Sequence, residues 1–362
     1  MRATREMKKP KQICILLSHV FAVLLLAAAP RLSGEQPEGS GAPPIKWPAG
    51  LPVYDHIVIV VEENKDYEQI IDNPKAPYIN DVVRKEGANF TRMFGEEHDS
   101  EGNYFWMFSG SNQGVGFRDV IPTEKNNPNY PFKTPNLGAA LIAKGLSFKG
   151  YSEDLPEIGS KVNFAPPKAK GQPYARKHVP WISFANVPHG NTVETSSHLR
   201  FKDFPTDPAQ FKNLPTVAFV IPNQNNDMHN GQLDASIVKG DAWLKTNLDA
   251  YYQWAKSNNS LLIVTWDESH NRKPTFIGLT NPFVDPVDQH QRNIQNHIPT
   301  MFAGAHIKPG NYSEGKGITH VNILRTIEAM YGLPRAGRQQ PNAEAGGIRD
   351  DYIITDVFVG AK

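Results

Sequence analysis

Five β-branched residues stand in a row at Ile57–Val61, and the run ends abruptly in Glu62, Glu63 and Asn64. A stretch this short and this apolar predicts a strand buried on both faces, the usual state of a central strand in an α/β sheet. Two further runs have the same form. Val217–Ile221 stops at Pro222 and leads into Asp227 and His229, and Ser260–Trp266 runs straight into Asp267 and Glu268. Helices are expected at Ala76–Lys85, at Thr134–Lys144 with Leu137, Leu141 and Ile142 inward, and at Thr319–Tyr331, stopped by Gly332 and Pro334. Ile237, Leu244, Leu248, Tyr251 and Ala255 recur at helical spacing. Ala88–Met93 and Thr300–His306 read as additional strands.

Where such strands run parallel, their C-terminal ends meet along one edge of the sheet, where open α/β folds hold ligands. Three ends then contribute Glu63 and Asn64, Asp227 and His229, and Asp267 and Glu268. Acid, amide and imidazole donors of this mix suit a divalent cation of the Mg, Mn, Ca, Fe or Zn type. Glu62, the neighbour of Glu63, points to the other side of the strand. Ser100 precedes the apolar residues Phe105–Phe108 and is expected to cap a helix. A hydroxyl there sits beside free backbone N–H groups, a ready anion site. A metal can lower its pKa and turn it into an attacking alkoxide. A cap with no chemistry is the plainer reading of the same residue.

Lys plus Arg number 38 against 37 Asp plus Glu, so no basic field invites duplex nucleic acid. Residues 1–34 have the layout of a signal peptide: Arg2, Arg5, Lys8, Lys9 and Lys11 precede the apolar run Ile13–Ala29, and small residues follow at Ser33 and Gly34. An uncleaved anchor is the alternative, but the run is short for a membrane span. Cleavage removes Cys14, the only cysteine, and leaves a secreted or periplasmic protein with no stable membrane anchor and no disulfide. Residues 35–50 are rich in Pro and Gly and read as a linker. Residues 51–362 are expected to form a single domain, with an irregular insertion around residues 152–205. The insertion carries Phe164, Tyr174, Arg176, Lys177, His178, Trp181 and Phe184 among prolines. Such residues suit a rim around a pocket or, equally, a cover packed over the sheet.

HIVIVVEENKDYEQII, the H-x-S-x-x-N-Y segment at His98–Tyr104, NDMHNG, LLIVTWDE, NHIPTMFAGAHIKPG and ITHVNILRTIEAMYGLP together resemble the bacterial phosphoesterase family, in the family's order from about Asp55 to Pro334. That family includes secreted acid phosphatases and phosphatidylinositol-phosphate phosphatases, with phospholipase C enzymes more distant, and belongs to the alkaline phosphatase-like superfamily. The resemblance implies an α/β fold of alkaline phosphatase type, with a central, mostly parallel sheet flanked by helices on both faces. It implies Ser100 as nucleophile and a divalent metal held by Glu63, Asn64, Asp267, Glu268 and the Ser100 hydroxyl, with one metal or two left open. Asn103, one helical turn from Ser100, is expected to reach a phosphoryl oxygen. Asp227, His229 and His297 match positions around the phosphate or a second metal, and His229 or His297 is the expected general acid. The resemblance also implies that His98, Lys177 and His178 border the substrate. Related acid phosphatases often read H-P-S-x-P-N-Y, whereas Asp99 and Gly102 occupy the proline positions here.

The resulting expectation is a secreted metal-dependent phosphomonoesterase acting on phosphate esters, with phosphoinositide and nucleotide among the compatible substrates. A phosphodiesterase of phospholipase C type and a non-catalytic phosphate-binding domain are the alternatives. The C/S-x-P-x-R context of sulfatases is absent.

Overall fold

The apolar run becomes β1 (His56–Glu62), and from Ile57 onward every residue of it is buried. The computed structural model describes residues 46–116, 118–167, 171–270 and 296–360. The expected signal peptide and most of the linker lie outside the described residues. Ile45–Lys362 is one compact unit. Its other strands are β2 (Ala88–Phe90), β3 (Met93–Phe94), β4 (Phe148–Ser152), β5 (Phe164–Ala165), β6 (Tyr174–Ala175), β7 (His198–Arg200), β8 (Val217–Ile221), β9 (Ser260–Trp266), β10 (Thr300–Gly304), β11 (Gly310–Tyr312) and β12 (Ile318–Thr319). Its α-helices are α1 (Tyr67–Ile70), α2 (Ser100–Ser109), α3 (Leu137–Ala143), α4 (Leu233–Ala255), α5 (His320–Tyr331) and α6 (Pro341–Ala345).

Eight strands form the central sheet in the order β11-β2-β10-β9-β1-β8-β4-β7. β9, β1, β8, β4 and β7 are parallel neighbours, and β10 is antiparallel to both β9 and β2. The sheet is therefore mostly parallel, with one reversed strand. Reversal places the start of β10 at the same edge as the ends of β1 and β9. The expected strand Ala88–Met93 divides in two. β2 joins the main sheet, while β3 pairs with β12 in a separate two-stranded sheet.

Helices cover both faces, which is why the central strands are apolar on both sides. Glu63 meets Tyr104 of α2 on one side, while Glu62 senses the charge of Asp241 from α4 on the other. The five apolar positions that recur along α4 are all buried. Asp241 on the same helix accepts from the backbone N–H groups of Tyr78 and Ile79 at 3.1 and 2.8 Å, fixing the start of the π-helical segment Ile79–Arg84. Among the described residues, no helix is long and apolar enough to cross a membrane.

The insertion supplies core as well as surface. Trp181 and Phe184 are fully buried, and Trp181 packs against Phe148 and Phe219 with ring centroids at 5.9 and 5.8 Å. Its indole N–H donates to His198 Nδ1 at 3.0 Å. Gly150 in β4 makes the space, since a Cβ there would stand 2.1 Å from the Trp181 ring. Trp181→Ala is expected to destabilise the protein by about 3–5 kcal/mol through the cavity it leaves. Chemical denaturation checks this. A loss within about 0.5 kcal/mol, the range of ordinary surface substitutions, would show the insertion to be a detachable flap.

Candidate active site

Strand register brings the first acids together. Glu62 pairs with Trp266 in the parallel β1–β9 ladder, so the next residues, Glu63 and Asp267, leave the sheet side by side. The Asp267 N–H donates to Glu62 O at 3.0 Å, and the Glu63 N–H donates to Asp227 O at 2.7 Å, tying the end of β1 to the segments after β9 and β8. Asn64 then adopts a left-handed conformation, with φ of 46°, and turns the chain back over the acids. Its N–H donates to Asp267 Oδ1 at 3.0 Å. One end of its side-chain amide lies 3.2 Å from both Glu268 Oε1 and Asp267 Oδ1. As an NH2 group this end donates to both. As an oxygen it joins them as a third donor, the orientation a shared cation selects.

α2 brings the serine. Its N-cap is Asp99, in extended conformation, so Ser100 is the first helical residue rather than the cap expected from sequence. The Ser100 hydroxyl thereby faces the acids: Oγ lies 3.1 Å from Glu63 Oε2 and 3.1 Å from Glu268 Oε1. A hydroxyl has one proton and can serve only one of these contacts as donor. The second oxygen pair needs a proton on a carboxylate, or a cation between them. Tyr104, four residues on and on the same helix face, donates to Glu63 Oε1.

The charge is concentrated in a buried space. Glu63, Asp227 and Asp267 are fully buried. Burial, followed by the charges of Asp267 and Asp227, pushes the Glu63 pKa well above the carboxylate range. Burial, followed by Glu268, pushes Asp267 up to about 6. Asp227 is raised as well, chiefly by burial. Two lysines answer part of this charge. Lys65 donates to Met228 O at 2.7 Å, and burial lowers its pKa against the pull of Asp227 and Glu63. Lys177 pairs with Asp119, and although burial opposes it, Glu63 and Asp119 hold its pKa above the ordinary lysine value. Buried carboxylates at this density require protons or a cation. The residues present therefore fit a divalent ion.

Imidazoles line the other side. His178 is buried, with Nε2 3.3 Å from Glu63 Oε1 and Nδ1 3.9 Å from Asp227 Oδ2, and it stacks on Tyr104 at 5.0 Å. Burial, then Lys177 and His229, push its pKa well below the usual value and keep the ring neutral. The His229 N–H donates to Asp227 Oδ1 at 2.8 Å, and its ring lies 6.4 Å from that of His178. His98 pairs through Nδ1 with Glu268 and lies 3.3 Å from Ser269 Oγ through Nε2.

The sequence profile of the phosphoesterase family matches residues 72–334. A phosphatidylinositol-3-phosphatase of Mycobacterium tuberculosis is 43% identical over 289 residues, which is 80% of this chain and 81% of the relative. The chain belongs to the phosphoesterase family. A probable acid phosphatase of Kluyveromyces lactis is 25% identical, across 85% of this chain and 68% of its own length. Among solved structures, a protein of the alkaline phosphatase superfamily from Vibrio parahaemolyticus superposes with a TM-score of 0.51 at 11% identity, covering 83% of this chain and 71% of that one. At that identity the likeness is one of fold.

Two of the expected site residues of this phosphoesterase have partners outside the acid cluster. Asn103 is fully buried, and both ends of its amide bind Glu97: Oδ1 accepts from the Glu97 N–H at 2.9 Å, and Nδ2 donates to Glu97 O at 2.8 Å. It clamps the segment before α2 through these two bonds, and one Nδ2 hydrogen remains beyond them. His297 lies three residues before β10, at the edge of the sheet where β1 and β9 end. Its Nδ1 is 3.0 Å from Glu68 Oε1, its Nε2 is 3.0 Å from Thr91 O, and its ring stacks on Tyr67 at 4.5 Å. None of these partners belongs to the acid cluster around Ser100.

Other residues escaped sequence reasoning. Tyr104 was visible only as the last letter of the serine motif, and its four-residue spacing from Ser100 was the available signal. Asp119 comes from an irregular loop and joins Lys177 to the Glu101 N–H, which it accepts at 3.0 Å. Gly102, one of the departures from the family pattern, lies beside the Glu97 carboxylate, and a Cβ there would stand 2.3 Å from Glu97 Oε2, so that side chain would have to shift.

Proposed function

We propose that this phosphoesterase is a secreted, metal-dependent phosphomonoesterase that uses Ser100 as its nucleophile. The observation that carries the reading is the Ser100 hydroxyl held 3.1 Å from two buried carboxylates, Glu63 and Glu268, at the carboxyl edge of the parallel sheet. Glu63, Asn64, Asp267, Glu268 and Ser100 would hold the cation, which when bound lowers the serine pKa and offsets charge on phosphoryl oxygens. The relatives named as phosphatases support the reaction class. The Mycobacterium tuberculosis relative supports a phosphoinositide monoester as substrate. Secretion rests on the residues before Ile45.

The chain's own groups then divide the work. Ser100 Oγ attacks phosphorus as its proton passes to a neighbouring carboxylate. The bond from phosphorus to the ester oxygen breaks, and the departing oxygen takes a proton from His229. Burial lowers the His229 pKa, so its protonated form belongs to acidic pH, in keeping with an acid phosphatase. Water then attacks the phosphoserine and gives a proton to His229, restoring its protonated form; the phosphorus–Ser100 Oγ bond breaks, the carboxylate's proton returns to Ser100, and inorganic phosphate leaves. Asp227 orients His229 through its backbone N–H. Tyr104 donates to Glu63 and holds it in place, with the His178 ring packed beside the same carboxylate.

Steady-state kinetics with an aryl phosphate monoester, the matching diester and a phosphoinositide test the proposal. Metal-dependent turnover of the monoesters far above the diester is expected, and a preference for the diester would replace this reading with a phospholipase C-type one. Lys177, paired with Asp119 and coupled to Glu63, is expected to grip the phosphoryl group. Lys177→Ala should raise KM about tenfold or more, the value of one charge-assisted hydrogen bond, with metal content unchanged. An unchanged KM accompanied by a lowered melting temperature would make Lys177 only the anchor of the Asp119 loop.

A further inference from the structure

We infer that His320, held by Glu96, is a positioning residue of the reaction: it fixes the peptide before Asp267 and so aims Asp267 and Glu268 at Ser100. The role deepens the metal-dependent reading above and rests on its assignment of those two acids. The small β3–β12 sheet sets the pair. Thr319 stands opposite Phe94 in that parallel ladder, so the segments leaving it carry His320 and Glu96 side by side. Both side chains are buried. His320 Nδ1 lies 2.6 Å from Glu96 Oε2, and the other Glu96 oxygen accepts from the Val321 N–H at 2.9 Å. The Thr319 hydroxyl accepts from the same N–H at 3.2 Å, so the start of α5 is capped without the imidazole.

The second ring nitrogen reaches the frame of the site. Nε2 donates to Trp266 O at 2.8 Å. That carbonyl and the Asp267 N–H belong to one planar peptide group, and the N–H donates to Glu62 O at 3.0 Å. β1 therefore grips one side of the peptide and His320 the other, which fixes the direction in which Asp267 leaves the strand. Asn296 ties the far flank. Its Oδ1 accepts from the Ser269 N–H at 2.7 Å, and its Nδ2 donates to Glu97 O at 2.7 Å.

Asp267 and Glu268 are thus tethered on both sides to residues 96 and 97, and the same stretch of chain leads directly into Ser100. The 3.1 Å approach of Ser100 Oγ to Glu268 Oε1 follows from that frame. Partners that orient ligands from behind govern affinity and rate without touching the substrate.

Two substitutions separate placement from charge. His320→Ala removes both ring contacts. Glu96→Gln keeps them: its oxygen accepts from the Val321 N–H, its NH2 donates to Nδ1, and Nε2 still donates to Trp266 O. The full-length protein saturated with Mn2+ gives kcat and KM for an aryl phosphate monoester, and calorimetric titration of the chelator-stripped protein gives its Mn2+ affinity. His320→Ala should lower kcat and Mn2+ affinity each about 10–100-fold with KM nearly unchanged, whereas Glu96→Gln should stay close to wild type. Should His320→Ala fail to fold, the double variant Glu96→Gln/His320→Phe takes its place, since it keeps ring volume and leaves no unpaired buried charge. A folded variant that loses only melting temperature, with kcat and Mn2+ affinity intact, overturns the role. So does an equal loss in Glu96→Gln, which would make the effect one of buried charge. If the wild type takes up no Mn2+, the metal-dependent reading fails, and the kcat comparison without metal decides His320 alone.

Discussion

Ser100→Ala is expected to reduce turnover by several orders of magnitude while leaving the fold intact. Loss of an attacking oxygen in a hydrolase of this kind removes the covalent route entirely, and what remains is residual catalysis from charge and positioning. The structural cost should be small. Asp99, not Ser100, stands at the N-cap position of α2, so the substitution leaves that position unchanged and places the best helix former at the first helical position. It removes one hydroxyl contact to two carboxylates, worth about 1–2 kcal/mol. Circular dichroism and melting temperature near the wild-type values, together with kcat below about a thousandth of wild type, are the expected pair of results. A variant that keeps more than about a tenth of the rate would mean that the hydroxyl only buttresses Glu63 and Glu268.

Removing metal should abolish activity and lower the melting temperature, in a way that depends on pH. Burial, followed by the charge of Glu268, pushes Asp267 up to about 6, above the ordinary aspartate value, and Glu63 and Asp227 are raised in the same direction, chiefly by burial. A carboxylate whose folded pKa exceeds its unfolded pKa stabilises the fold fully below the unfolded value, about 4. That stability disappears as pH rises through the folded value. The metal-free protein should therefore lose stability between about pH 4 and pH 6 and beyond, where these acids ionise against each other. Metal replaces the protons, so the gain in melting temperature on adding metal should grow over the same interval. At about 100 times its dissociation constant an ion stabilises by about 2.7 kcal/mol. Metal-free and metal-loaded melts between pH 4 and pH 8 check both the size and the direction. Melting curves that coincide at every pH would mean that these acids are not ligands.

Much of this site was legible because strand ends in a parallel sheet announce themselves. β1 and β9 are short apolar runs that stop in carboxylates, and their periodicity placed Glu63, Asn64, Asp267 and Glu268 correctly at the ends of buried strands. Neither strand says which neighbour it pairs with or in what register, and only the match of Glu62 with Trp266 sets Glu63 beside Asp267. The partners of two of the expected residues were not legible, for a shared physical reason. Helical spacing correctly put Asn103 one turn from Ser100, but spacing does not reveal that the Glu97 backbone is packed against that turn. His297 was correctly read as preceding a strand, yet Glu68 and the Thr91 carbonyl, both far from it in sequence, engage its ring. Trp181 and Phe184 suited a rim as well as a cover, and the space beside Gly150 that buries Trp181 exists only once β4 is in the sheet.

The serine mechanism is tested most directly by acid-quenching the metal-loaded enzyme during turnover of a phosphate monoester and mapping the phosphoryl group by peptide mass spectrometry. The serine mechanism requires a phosphoryl group on the peptide containing Ser100, absent in Ser100→Ala and absent when metal is withheld. Steady turnover with no phosphorylated peptide, or with the phosphoryl group on another residue such as His229, would contradict it.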